Sequence, residues 1–297
     1  MIEHTETAGG ALQGEAGFGA PSLAKEVEAA IAGGTVELPV LPEIALGVRD
    51  VIAREGPLGE VVRVVEREPA FAAAVLRYAN SVAFAGLRPV TDLKQAVSRL
   101  GMGAVEQTVL AVSARGAFQG SSCEDVEAFR VLWEHSLVTA LAARRLAVRF
   151  APPEQAFLAG LLHDIGKAVL LRCLATLRAR DERFRLSPDA LQEFMASLHC
   201  RAGDGFLETW NIPAEIRTAV RRHHDTDLDA ARDGLVAVVA CADRVAAKLG
   251  ASSVPDPDAS VLDHPAARVL RLDDVKIAAL LVDVEDDVAR VRGDFPH

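Results

Sequence analysis

Apolar residues recur at helical spacing along nearly the whole chain of 297 residues, and this pattern restricts the fold more than any other feature. Leu23, Val27 and Ile31 are four residues apart, for example, which places them on one face of a helix. We find no run in which apolar and polar residues alternate as they do in a half-buried strand, and no internal repeat. The pattern therefore predicts an all-α protein.

Glycine, proline and capping residues divide this pattern into separate helices. In the first third of the chain, Ser22 and Thr91 are predicted caps, and the predicted stops are Gly33-Gly34, Gly56-Pro57, Pro69, Asn80-Ser81 and Gly101. Further helices are predicted at about 103–117, 125–149, 154–172, 188–208, 213–223, 233–249 and 273–292. A turn is predicted at Pro152-Pro153 and a loop at 251–260.

The same signals suggest how the chain is divided. Residues 1–20 are rich in Gly, Ala and Glu without periodicity, which predicts a flexible tail. An N-terminal helical half at 21–118 is followed by a second helical half at 119–250, and the predicted linker between them is Gly120 to Cys123. A loop and a helical extension occupy 251–297.

Composition excludes several classes of protein. Half of the residues are hydrophobic and 25% are charged, which excludes a disordered regulator, a collagen-like chain and a coiled-coil rod. The formal net charge of −10 disfavours binding to nucleic acid, which needs clustered Lys and Arg.

Cysteine usage and hydropathy bear on the compartment. The four cysteines are widely separated, without a CxxC pair, and are predicted to be reduced thiols that are mostly buried: Cys123, Cys173, Cys200 and Cys241. The N-terminus has neither the basic nor the apolar region of a signal peptide, and no uncharged apolar stretch is long enough for a membrane span. These features predict a cytoplasmic protein that is not bound to a membrane.

A His-Asp pair at the end of an apolar run is the strongest chemical signal. His163 and Asp164 follow the run from Phe157 to Leu162, and such a pair is costly to bury unless it is partnered. Candidate partners also lie in predicted helices or at their ends: His135, Lys167, His199, His223, His224 and Asp243. Imidazole and carboxylate are ligands of Fe, Mn, Zn or Ni. Five imidazoles and two carboxylates exceed the needs of one ion and would suit two ions that share a bridging carboxylate.

The order of these residues resembles the HD superfamily of metal-dependent phosphohydrolases, at His135, His163-Asp164 and Asp243. Over about 35–250 the chain resembles the HDOD family, an HD-related output domain of bacterial signalling proteins. The segments that carry this resemblance are Leu38–Pro42, Val75–Ser81, Val90–Val97, Leu100–Gly103, Trp133–His135, Leu158–Lys167, His199 with Gly203, Trp210 with Pro213, and His223-His224. The resemblance implies a helical N-terminal subdomain packed on an HD-like helix bundle.

Phosphodiesterases of the HD group that cleave cyclic di-GMP carry further ligands, and the sequence resembles them at His199, His223-His224 and Lys167. No Gly-Tyr-Pro motif follows His224, where the chain continues with Asp225-Thr-Asp-Leu. The acidic residue that some of these enzymes have one turn before the first His corresponds to Val131. These differences bear on substrate recognition more than on metal binding.

The resemblance implies a regulatory signal-transduction protein that acts through protein or ligand binding and retains a metal site, with a binuclear Fe or Mn centre. The implied ligands are His135, His163, Asp164, His199, His223, His224 and Asp243. The alternative is an active phosphohydrolase, a cyclic-dinucleotide or nucleotide phosphodiesterase, in which Asp164 and Lys167 are catalytic and Lys167 holds a phosphate oxygen. The expected partner is a regulatory protein or a small phosphate-containing ligand, and the oligomeric state is left open.

The metal site and the phosphate-binding role of Lys167 each have a purely structural alternative. For the His/Asp set, the alternative to metal binding is an inherited polar network that stabilises the helix bundle. Lys167 is equally a solvated lysine that complements a helix dipole.

Overall fold

The computed structural model describes residues 36, 38–81, 89–119, 123–180, 186–252, 256–258 and 260–292. Within these residues the chain is helical and has no strand, which confirms the all-α prediction. The predicted tail at 1–20, the predicted helix after Ser22 and most of the predicted linker from Gly120 lie outside the described residues.

The helices occur in two groups along the chain. The first group comprises α1 (Glu43–Ala53), α2 (Leu58–Val65), α3 (Pro69–Ala79), α4 (Leu93–Leu100) and α5 (Met102–Ala114), followed by a 3-10 turn at Arg115–Phe118. The second comprises α6 (Cys123–Leu146), α7 (Pro153–Leu162), α8 (Ile165–Arg180), α9 (Pro188–Thr209), α10 (Ala214–Arg222), α11 (Gly234–Lys248), α12 (Pro265–Val269) and α13 (Asp274–Arg292).

Helix ends in the first group follow the local sequence closely. Asp92, and not the predicted Thr91, caps α4, because the Asp92 backbone is extended and its carboxylate accepts from the backbone N–H of Gln95 at 2.8 Å. Gly101 separates α4 from α5 with a φ of 80°, a conformation that favours glycine. Asn80 ends α3 and exchanges two hydrogen bonds with the backbone of Val90, at 2.8 and 2.7 Å.

A continuous hydrophobic core joins the two groups. It includes Val48 and Val109 from the first group and Leu158, Leu170 and Ile216 from the second, all of which are 0–1% exposed. Helix α5 packs directly on α7. The His/Asp-bearing helices are therefore supported on one side by the N-terminal half.

A second hydrophobic cluster lies on another face of α6. There α6 and α11 pack closely through small side chains such as Ala142 and Ala242, and the C-terminal helices cover them through Ala267 and Val284. Cys173 and Cys241 are buried free thiols, and Cys200 is a partly buried one. None of the helices in the described part of the chain has both the length and the hydropathy of a membrane span.

The structure breaks the helix predicted at 154–172 into two. Helix α7 ends at Leu162 and α8 begins at Ile165, and between them His163 and Asp164 form a turn. The side chain of His163 reaches back to the carbonyl of Gly160 at 2.7 Å. Both polar side chains of the turn consequently point into the bundle, where His163 is 0% exposed and Asp164 is 1% exposed.

Arg49 on α1 connects the two helical groups at the turn that joins α9 to α10. Its guanidinium donates to the carbonyls of Trp210, at 2.5 Å, and Asn211, and it pairs with Glu106 at 3.3 Å. In return, the Trp210 indole N–H donates to the Pro39 carbonyl at 3.0 Å. Glu106 is partly buried, and its carboxylate would be poorly solvated without a partner. The ion pair with Arg49 therefore stabilises the charged carboxylate.

We expect Arg49→Ala to lower the free energy of unfolding by about 2 kcal/mol, because it removes charge-assisted hydrogen bonds and leaves Glu106 unpaired. Urea unfolding measures this difference. The matched control is Arg63→Ala, since Arg63 is 70% exposed and reaches Glu60 only at 3.7 Å; it should change the stability by about 0.5 kcal/mol or less. Equal unfolding midpoints for the two variants would contradict this account of the connection.

Candidate metal centre

Two glycines allow α8 and α9 to approach closely enough to form the site. A Cβ at Gly166 would lie 1.9 Å from the backbone carbonyl oxygen of His199 and 2.7 Å from the backbone nitrogen of Gly203. Only a residue without a side chain fits at this contact. The approach sets His199 beside the His163-Asp164 turn, a role for Gly166 that the sequence analysis did not predict.

The first triad consists of His135 from α6, His163 from the turn and Asp243 from α11. The Nε2 atoms of His135 and His163 are 3.1 Å apart. The Asp243 Oδ1 atom is 3.1 Å from His135 Nε2 and 3.7 Å from His163 Nε2. These spacings are those of donor atoms around one metal ion, and the triad is one of the groups in the described residues that could hold one.

The second triad consists of His199 from α9 with His223 and His224, which follow α10. The Nε2 atom of His199 is 3.4 Å from that of His223 and 3.1 Å from that of His224. His199 and His223 are each 1% exposed, whereas His224 lies at the surface.

Asp164 lies between the two triads. Its Oδ2 atom is 3.5 Å from the Nε2 atoms of both His135 and His163. Its Oδ1 atom is 3.5 Å from His199 Nε2 and 3.8 Å from His223 Nε2. This Oδ1 atom is buried and accepts no hydrogen bond, which is unusual for a carboxylate oxygen. One oxygen of Asp164 therefore faces each triad, as in a carboxylate that bridges two ions.

Backbone carbonyls fix the orientation of four imidazoles. A carbonyl only accepts, so each Nδ1 that contacts one carries the proton and each Nε2 has a free lone pair when the ring is neutral. The four contacts are His135 with Ala251 at 2.7 Å, His163 with Gly160 at 2.7 Å, His199 with Met195 at 2.8 Å and His223 with Val220 at 2.7 Å. Such second contacts are typical of histidines that bind metals.

Two histidines of the second triad are neutral near pH 7. Burial lowers the pKa of His199, and it lowers the pKa of His223 well below the ordinary value. Neutral imidazole is the form that ligates metals, so both rings present their lone pairs without first losing a proton.

Charges in the first triad compensate one another. Burial would raise the carboxyl pKa of Asp164, but the positive charges of Lys167 and of the protonated His135 outweigh burial and hold the pKa well below its ordinary value. Asp243 is partly buried, and the hydrogen bond from the protonated His135 holds its pKa well below the ordinary value despite that burial. Burial also opposes the charged form of His135, but its two aspartates raise its pKa to about 10. In the absence of a metal, His135 therefore carries a proton that a metal would displace.

Lys167 contacts this network from the outside. Its ammonium donates to Asp164 Oδ2 at 2.5 Å, and its side chain is 31% exposed. Burial opposes the charge on Lys167, but the Asp164 carboxylate raises its pKa, so the ammonium is charged. Asp243 is 24% exposed and His224 lies at the surface, so solvent reaches the cluster at these three side chains.

The structure thus brings together all seven side chains proposed as ligands, and it places Lys167 beside them. The sequence analysis did not predict three contributors: the Ala251 carbonyl, the contact of Gly166 with α9, and Cys200, whose sulfur lies 3.3 Å from His199 Nε2. Gly166 and Gly203 were visible in the sequence motifs. The Ala251 carbonyl has no sequence signal, because any residue provides one.

Comparisons with known proteins agree with this architecture. A family model described as the HDOD domain matches residues 38–226, which include six of the seven side chains; Asp243 lies beyond the match. A proposed metal-dependent phosphohydrolase from Shewanella amazonensis SB2B has a similar structure, with a TM-score of 0.74 at 21% identity over 91% of this chain and 96% of that one. An HDOD domain protein of unknown function from Geobacter sulfurreducens gives 0.65 at 22% identity over 91% and 97%.

A sequence relative extends beyond the length of this chain. An uncharacterized protein of Treponema pallidum (strain Nichols) is 26% identical over an alignment of 213 residues that covers 67% of this chain. The chain spans only 40% of that relative's length.

Proposed function

Because the chain belongs to the HDOD family, we propose that it is a regulatory module of signal transduction whose His/Asp cluster binds two metal ions. The family resemblance favours a regulatory role over a general hydrolase. The exposed side of the cluster then receives a regulatory protein or a small phosphate-containing ligand.

The arrangement of the imidazole nitrogens carries this proposal. The Nε2 atoms of His135 and His163 are 3.1 Å apart, and those of His199 and His223 are 3.4 Å apart. When these rings are neutral with the proton on Nδ1, two lone pairs repel each other at such distances. Protonation of His135 relieves this repulsion in the first triad, but burial keeps His199 and His223 neutral in the second. A divalent cation between the nitrogens of each triad would relieve it in both.

Two metal ions account for the number of donor atoms in the cluster better than one ion does. The first triad offers two imidazoles and a carboxylate, and the second offers three imidazoles. The oxygens of Asp164 face opposite ways, which suits a bridge between neighbouring ions. Nitrogen and carboxylate donors suit iron or manganese at the first position. Ions held there would supply Lewis acidity toward a phosphate oxygen.

Lys167 and the exposed edge of the first triad favour a phosphate-containing ligand. The Lys167 ammonium is charged and lies at the boundary between the cluster and solvent. It is held at 2.5 Å from Asp164 Oδ2, the oxygen that faces the first triad. A phosphate group that approached this triad would therefore meet a positive charge fixed in place.

Phosphate binding to the Mn²⁺-loaded protein tests the proposed role of Lys167. We expect inorganic phosphate to bind the wild-type protein in isothermal titration calorimetry, and Lys167→Gln to weaken the binding by about tenfold, since one charge-assisted hydrogen bond is lost. The control is Lys276→Gln, because Lys276 is 56% exposed and pairs with Asp273 away from the cluster. Equal phosphate affinities for the wild type and Lys167→Gln would contradict this role.

The same accessible edge favours the second candidate, an active metal-dependent phosphohydrolase. The two candidates differ in turnover. If the role is regulatory, the Mn²⁺-loaded protein releases p-nitrophenol from bis(p-nitrophenyl) phosphate no faster than free Mn²⁺ does. It also cleaves a cyclic dinucleotide no faster than free Mn²⁺ does. Turnover that depends on both the metal and Lys167 would support the phosphohydrolase instead.

A further inference from the structure

Cys200 places a sulfur atom at the edge of the second triad. Its Sγ atom is 3.3 Å from His199 Nε2 and 3.9 Å from the ring of His223. Cys200 Sγ and one nitrogen from each of the three histidines all lie within 4.8 Å of one another. The Nδ1 atom of His223 already donates to the Val220 carbonyl, so it does not compete for the sulfur.

Three separations among these four atoms are close to those between the ligands of a tetrahedral zinc ion. Zinc binds imidazole nitrogen at about 2.0–2.1 Å and thiolate sulfur at about 2.3 Å, so the edges of the tetrahedron are about 3.3 Å between nitrogens and about 3.6 Å between nitrogen and sulfur. The observed nitrogen separations from His199 are 3.4 and 3.1 Å, and the nitrogen–sulfur separation is 3.3 Å. Three of the six edges therefore agree with the expected lengths to within about 0.3 Å.

We propose that Cys200 joins His199, His223 and His224 as a thiolate ligand of the second ion, beside the bridging Asp164, in a set that selects a thiophilic divalent cation such as zinc. This inference rests on the proposed metal function and specifies its second position. On binding, the Cys200 thiol loses its proton to solvent and the sulfur donates an electron pair to the ion. The two positions then differ in kind, since only the second has a sulfur ligand.

A thiolate ligand at the second position has a consequence for function. Metal sites whose coordination positions are all filled by the protein are structural, whereas catalytic sites keep one position for water or substrate. With Cys200 as a ligand, the protein leaves no open coordination position at the second ion. A phosphate ligand then has access only at the first ion, on the side where Lys167 and Asp243 are exposed. This asymmetry fits a binding module better than a symmetric two-metal hydrolase.

The spectrum of the protein loaded with Co²⁺ under anaerobic conditions tests the proposal directly. A thiolate bound to Co²⁺ produces an intense near-ultraviolet charge-transfer band, which imidazole and carboxylate do not produce. We expect this band in the wild-type protein and its loss in Cys200→Ser, with Co²⁺ retained at the first position. Zn²⁺ affinity at the second position should fall by about tenfold or more in the variant.

Cys173→Ala is the matched control, because Cys173 is a buried free thiol of α8 that is not among the cluster atoms. It should retain the band. If the wild-type protein binds two Co²⁺ ions without the band, or Cys200→Ser keeps the band, Cys200 is not a ligand, and its contact with His199 is an ordinary S–H···N hydrogen bond. Neither result affects the proposed metal function. If the wild-type protein binds no Co²⁺, both proposals fail.

Discussion

Asp164→Asn is expected to lose both metal ions while it keeps its helical fold. One oxygen of Asp164 faces each triad, and the residue is 1% exposed. Asparagine has the same shape but no charge, and it replaces one of the two facing oxygens with an NH₂ group, which cannot ligate. Loss of an outer-shell partner costs about 10- to 100-fold in metal affinity, so loss of a shared ligand should cost more than about 100-fold at both positions.

Metal content after dialysis measures this effect, and far-UV circular dichroism reports whether the helices remain. Asp225→Asn is the matched control, since Asp225 adjoins His224 in sequence but is exposed and pairs with Arg222 at 2.7 Å. The control should bind metal as the wild type does. Two tightly bound ions in Asp164→Asn would show that Asp164 does not bridge the triads.

Gly166→Ala is expected to lower the free energy of unfolding by about 3 kcal/mol or more. Its new methyl group would lie 1.9 Å from the His199 carbonyl oxygen and 2.7 Å from the Gly203 nitrogen. Both atoms belong to the backbone, so a change of rotamer cannot relieve the clash, and α8 must move away from α9. The movement also withdraws His199 from Asp164, so metal affinity should fall together with stability.

Urea unfolding in the presence of a chelator separates the steric effect from the loss of metal. Gly205→Ala is the control on α9, because nothing lies within 4 Å of its added methyl group. It should raise the stability by about 0.5–1 kcal/mol, since alanine is the better helix former. An unfolding midpoint of Gly166→Ala equal to that of the wild type would contradict the close approach of α8 and α9.

Local sequence signals predicted most of the helices. Gly101 ends a helix because its φ is positive, and the structure places α4 and α5 on either side of it. The helix predicted at 188–208 is observed at Pro188–Thr209, with Ser187 as its cap at 3.2 Å. The five-residue α12 at Pro265–Val269 was not predicted, because so short a helix has no full period of apolar residues.

The composition of the candidate site was predictable, but its arrangement was not. Residue types and family motifs identified the seven side chains and Lys167. The turn at His163-Asp164 was predicted as helix, because the apolar spacing from Phe157 onward continues through it. The break depends on the side-chain contact of His163 with Gly160 and on burial among distant helices, which local propensity does not encode.

The position of Cys200 beside the histidines was also not predictable from the sequence. Cys200 was one of four separated thiols without a metal-binding spacing, since two of its three histidine neighbours, His223 and His224, are 23 and 24 residues away. Only the packing of α9 against α10 brings the sulfur to the imidazoles. The proposed difference between the two triads therefore depends on the fold.

Metal stoichiometry tests the central claim most directly. The wild-type protein and His163→Ala are purified without chelator and without air, and their metal content is measured by mass spectrometry. We predict close to two ions per wild-type chain and a clear loss in His163→Ala, whose missing imidazole belongs to the first triad and adjoins Asp164. Folded wild-type protein without metal, or a metal content unchanged by His163→Ala, would contradict the claim and leave the cluster as a polar network that stabilises the bundle.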